Sequence, residues 1–148
     1  MGIGYSRFVI RGLGSKHALV TAMSATQTSL ADALQARFID FGAKITGLVQ
    51  KLPRSPAGTH YARQMLRSGT AAAPNYAEAR SAESRADFIH KMRIVLKELN
   101  ETAVWLRMAV RSELFSRDVT SEILAEAEQL CRIVAASIRT AKSPQRQD

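Results

Sequence analysis

Apolar residues recur every three or four positions in four separate runs of this chain, the spacing that aligns one face of an α-helix. Leu30, Leu34, Phe38, Phe41, Ile45, Leu48 and Leu52 make the first, which predicts a helix from about Leu30 to Leu52, ended by Pro53 and Pro56. Gly58-Thr59 offers a restart, and the second run, Ala62, Met65 or Leu66, Gly69, Ala72 or Ala73 and Tyr76, presents small residues that suit close approach of a neighbouring helix. Pro74 removes the donor to the Thr70 carbonyl at a cost of about 3 kcal/mol, so a kink is expected there. Asn75 and Glu78 are read as capping that kink or pairing with an arginine across the bundle. Ser84 with Asp87 forms a capping-box pattern that opens the third run, Phe88, Met92, Val95, Leu99, Ala103, Leu106 and Val110, which continues to Ser112. Asp118 can start the fourth, Ile123, Ala127, Leu130, Val134 and Ile138, and Pro144 ends it.

Four amphipathic segments with short links and no alternating strand pattern predict an all-α fold, an antiparallel up-and-down four-helix bundle. A chain of 148 residues suits one domain. Residues 29–142 are assigned to the bundle, 143–148 to a polar C-terminal tail and 1–28 to a basic, disordered N-terminal extension. The extension carries Arg7, Arg11 and Lys16, is interrupted by Gly4, Gly12 and Gly14, and has only a short apolar patch at Ala18 to Val20, too little for a signal peptide. Met23 reads as an alternative start, and removal of residues 1–22 is expected to leave stability unchanged.

The third helix has apolar residues on more than one face. With Phe88 at zero and about 100° per residue, its core stripe clusters near 30°, whereas Ile94, Trp105 and Met108 fall between about 200° and 260°, with Glu98 and Glu101 among them. That line predicts an oligomer interface; the alternative is that neighbouring helices wrap further round and bury it. A third line, Arg93, Lys97, Asn100, Val104, Arg107 and Arg111, is mostly basic, and Arg63 and Arg67 lie one turn apart on the second helix. Arginine presents a forked donor matched to phosphate oxygens, so these six cations are candidate nucleic-acid contacts; the alternative is a solvated face with local pairs to Glu98 or Glu101.

Charge supports the phosphate reading, because twenty-one Lys and Arg against thirteen Asp and Glu leave a formal +8. Other chemistry finds little footing. Gly12-Leu13-Gly14 follows no strand, so there is no phosphate loop. His17, His60 and His90 form none of the His and Glu pairs of a di-metal bundle, and no cofactor is expected. Cys131 falls within an apolar stripe and reads as a small buried hydrophobe, in keeping with a reducing cytoplasm. No apolar run reaches the ~20 residues that cross a bilayer, so no membrane partner is expected.

One motif string adds a resemblance. Arg67-Ser68-Gly69-Thr70, Asn75-Tyr76-Ala77-Glu78-Ala79, Glu83-Ser84-Arg85, Asp87-Phe88-Ile89-His90-Lys91, and Lys97-Glu98 through Glu101-Thr102 to Trp105-Leu106 occur in the order and spacing of the bacterial four-helix bundle proteins. This family is also known as the ribosomal-RNA intervening-sequence proteins, and its relatives include the accessory variability determinant of diversity-generating retroelements. The resemblance implies a non-enzymatic bundle assembled as a homo-oligomeric ring, a homopentamer, with RNA or DNA and a reverse transcriptase as partners. An oligomeric scaffold whose partner is another protein is the alternative.

Overall fold

Ser55, Ser84 and Ser116 each hold extended backbone just before a helix, and the hydroxyls of the first two accept the N–H groups of Gly58 and Asp87 at 3.0 Å. These caps satisfy donors that a helix start leaves open. The computed structural model describes the backbone of residues 18–143 and the side chains of residues 30–143. Its helices are α1 (Ala18–Val49), α2 (Pro56–Arg80), α3 (Arg85–Arg111) and α4 (Arg117–Lys142), with no strand among the described residues.

Cross-helix contacts fix the topology. Going up α1 from Phe38 to Ile45, the partners on α2 run backwards from Tyr76 to Gly69. Along α2, Tyr61, Ser68 and Glu78 meet Ser112, Thr102 and Lys91 of α3, and Asn100 and Arg107 of α3 meet Cys131 and Glu128 of α4. Every neighbouring pair is therefore antiparallel, α1 and α3 lie diagonally opposite, and the bundle is all-α and up-and-down. Phe38, Phe41, Ile45, Met65, Met92, Leu99, Leu106 and Leu130 fill its centre.

The seams differ in construction. Between α1 and α2 the helices approach closely, because a Cβ at Gly69 would stand 2.7 Å from Ile45 Cγ2. Between α1 and α4 contact is thin. There Arg37 donates two hydrogen bonds to Glu126 at 2.9 Å and one to Gln129 at 2.8 Å, and Lys44 binds Glu122 at 2.6 Å, beside an open groove over Phe41.

One departure from the sequence reading, at the start of α1, and two local features of α2 and α3 have physical causes. Helix α1 begins at Ala18, well before Leu30, so the expected extension boundary at residue 28 falls inside a helix; residues 1–17 lie outside the described residues. Residues 18–29 contain no Gly or Pro and only small or polar residues after Met23, which permits a helix without a stripe of large apolar residues to announce it. Helix α2 runs on through Pro74, with the Asn75 amide donating to the Ala71 carbonyl at 2.8 Å and the Gln35 amide to the Ala73 carbonyl at 3.1 Å. Neither bond reaches the Thr70 carbonyl whose donor the proline removes; both tie down carbonyls of the turn that precedes it. Finally, α3 ends in a left-handed Glu113 (φ 57°), with Leu114 N–H bonded to the Ala109 carbonyl and Glu113 N–H to the Val110 carbonyl, a termination that glycine usually supplies. Of the polar tail, residues 144–148 lie outside the described residues.

Candidate nucleic-acid interface

The two long helices α2 and α3 meet along a polar seam. Arg67 on α2 reaches across to Glu101, donating to Oε1, and lies 3.4 Å from Glu98 Oε2. One turn on, Thr102 Oγ1 is 2.8 Å from Ser68 Oγ, and Ser68 Oγ donates to the Gln64 carbonyl at 3.0 Å. Both hydroxyl side chains are fully buried, so this pairing is what makes their burial tolerable. The hydrogen bond from Arg67 holds the Glu101 carboxyl below its ordinary range, and the same bond raises the Arg67 guanidinium.

Above this pair sits a cluster of rings. Trp105 of α3 packs edge-to-face on Tyr61 and His60 of α2, with centroids 5.3 and 5.5 Å apart, and its indole N–H points to Glu101 Oε1 at 3.4 Å. Tyr61 is tied in turn to Ser112 by a 3.3 Å contact between hydroxyls. His60 and Tyr61 escaped the sequence reading, although in an antiparallel pair, residues equally far from the connecting turn face each other. That rule sets the start of α2 level with the end of α3.

The expected interface line on α3 is therefore split. Glu98 departs from it, being only 7% exposed beneath Arg67. Trp105 is half-buried against α2 of the same chain, and Ile94 and Glu101 are half-buried as well; Met108, 40% exposed, still faces outward. The true inward face of α3 is centred nearer α2 than the apolar stripe alone implied, because Glu98, Thr102 and Ala109 are buried too.

The candidate cations also divide. Arg67 is engaged by Glu98 and Glu101, and Arg107 pairs with Glu128 of α4 at 2.7 Å. Arg63, Arg93, Lys97 and Arg111 are exposed, with no carboxylate within ion-pair distance among the described residues. Arg93, Lys97 and Arg111 share the outer face of α3 with Val104, itself 50% exposed. Cys131 is half-buried, its thiol raised by that burial and facing Asn100, which suits packing and not nucleophilic chemistry. Among the described residues no group of His, Cys, Asp and Glu is arranged to hold a metal ion, and no helix is long and apolar enough to cross a membrane.

The family model described as 23S rRNA-intervening sequence protein matches residues 34–136, from the middle of α1 to α4. The chain belongs to this family. A solved member of the S23 ribosomal protein family from Bacteroides thetaiotaomicron, itself described as a protein with unknown function, is 33% identical over 72% of this chain and 98% of that one, with a TM-score of 0.68. Comparison with curated proteins gives no match.

In this 23S rRNA-intervening sequence protein, the motif string is largely consumed by architecture. Arg67 and Ser68 bind α3, Gly69 admits Ile45, and Tyr76 packs on Phe38 with ring centroids 4.8 Å apart. Glu78 pairs with Lys91, Ser84 caps α3, and Arg85 donates to the carbonyls of Ala141 and Ser143 at the end of α4.

Proposed function

We propose that this bundle acts without catalysis, as a homo-oligomer that offers the outer face of α3 to the phosphates of RNA or DNA. The observation that carries the reading is the contrast among its cations. Arg37, Lys44, Arg67, Arg80, Lys91 and Arg107 all sit on carboxylates, whereas Arg93, Lys97 and Arg111 line one exposed helix face without an ion pair among the described residues, as does Arg63 on α2. Cations outside ion pairs keep more of their attraction for a polyanion, and each phosphate contact releases condensed counterions. By resemblance the working assembly is a pentamer, and a reverse transcriptase is the protein such an assembly would assist.

In this reading the subunits meet through α1, while Met108 of the expected α3 line also stays exposed. Ile39 is 55% exposed between the exposed Ala36 and Ala43, small residues that let another helix approach. Because α1 and α3 are diagonal, contact through α1 leaves the α3 cations outward on every subunit, where repetition multiplies the field. Binding of labelled RNA and DNA, followed by anisotropy at rising salt, tests the reading. Affinity should fall about 10³-fold or more between about 50 and 200 mM salt if roughly six phosphate contacts form. Binding that ignores salt, or is absent at low salt, would favour the protein-scaffold alternative.

A further inference from the structure

We propose that the exposed ring of His60, set edge-to-face against Trp105, is the surface on which one unpaired nucleobase stacks, so that the basic surface takes single-stranded nucleic acid in preference to continuous duplex. This rests on the phosphate-binding reading above and narrows its substrate class. Three features of the end of the α2–α3 seam carry it.

First, the three rings stand nearly perpendicular to one another, at 73°, 76° and 79° between planes, so each contact sets the edge of one ring on the face of another and none of the three is a parallel stack. His60 is exposed and Trp105 half-buried at the edge of the seam. Second, the indole is already oriented: its N–H meets Glu101, Glu101 is held by Arg67, and Tyr61 is held by Ser112. A base arriving there meets an indole that is already fixed, which removes part of the usual entropic cost of binding. Third, the platform is bordered by cations. Arg63 follows His60 by three residues on the exposed side of α2, and Lys97 and Arg111 lie on the neighbouring outer face of α3, so phosphates on either side of a stacked base have unpaired partners within the span of one bundle. Aromatic rings interleaved with cations suit single strands of any sequence, since every base offers a π face and a duplex withholds its own.

Trp105 is the only tryptophan, so its emission reports on this site. The probes are a short oligodeoxythymidylate, a matched strand in which abasic sites replace the bases, and a duplex of the same length, each measured by anisotropy and by Trp105 fluorescence on the full chain. The base-bearing strand should quench Trp105 and bind about 5- to 100-fold more tightly than the abasic strand, the range set by stacking one base on an aromatic side chain. His60→Ala, an exposed change that leaves the tryptophan in place, should reduce both the quenching and that ratio while the abasic affinity stays the same. Equal affinity for both strands with unchanged emission would overturn the platform and leave the phosphate-binding reading standing. Emission that shifts with protein concentration alone would also overturn it, by showing that a second copy covers the rings. Failure of every strand to bind at low salt would remove both readings together.

Discussion

The two sides of α3 use the same residue types to opposite ends. Toward α2, charge and hydroxyl groups have partners: Arg67 with Glu98 and Glu101, and Ser68 with Thr102. Away from the bundle, Arg93, Lys97 and Arg111 are exposed and unmatched among the described residues. The matched side contains the motif residues that mark the family, and the unmatched side contains mostly residues outside the motif string. Recognition of the family therefore reports on how the bundle is held together. Its activity has to be read from the charges that packing leaves over.

If the two sides have separate duties, they should fail separately. The largest effect is expected on the outer face, where changing Arg93, Lys97, Arg107 and Arg111 to Glu should reduce nucleic-acid affinity about 10³-fold or more. Circular dichroism should show the helical content of that variant unchanged. A loss of helix alongside binding would merge the two sides into one. Next is Gly69→Leu, at the motif glycine that α1 overlies: the fully buried Ile45 leaves no room for a side chain, and overpacking should cost about 3 kcal/mol in chemical denaturation. A neutral result would mean that α1 can shift away from α2. Thr102→Val should cost about 1 kcal/mol, by removing the hydroxyl that meets Ser68 in the seam, with nucleic-acid affinity untouched.

The smallest effect is electrostatic. Because Arg67 lowers the Glu101 carboxyl below its unfolded value, their pair contributes stability that is present above the ordinary glutamate range, about 4 to 4.5. It is lost as pH falls through the lower, folded value. Arg67→Ala should flatten that part of the stability curve, and curves of parent and variant that stay parallel from about pH 5 downward would contradict the pairing.

Much of this fold was legible in the sequence because large apolar residues carry the helical period. The stripe from Phe88 to Leu106 and the Ser84 cap stand where the pattern put them. The start of α1 was not legible, since alanine, serine and threonine between residues 18 and 29 permit a helix without marking a face. The candidate surface was legible only in outline. Position on the α3 wheel separated Arg93, Lys97 and Arg111 from the core, but which cations are neutralised depends on neighbours distant in sequence: Glu98 and Glu101 are 31 and 34 residues from Arg67, and Glu128 is 21 from Arg107. The same distance hid the rings, because Trp105 read as part of an oligomer interface until α2 brought His60 and Tyr61 beside it.

Paired and unpaired cations on one helix face give the most direct test, since Arg107 and Arg111 are one turn apart and differ chiefly in whether a carboxylate holds them. The measurement is the slope of log affinity against log salt for nucleic acid binding to the parent, Arg107→Gln and Arg111→Gln. Loss of one phosphate contact lowers the steepness by about one, so Arg111→Gln should show that drop and Arg107→Gln much less of it. Equal slopes in all three proteins, or the larger drop at Arg107, would contradict the claim that unmatched charge on the outer face of α3 is what binds.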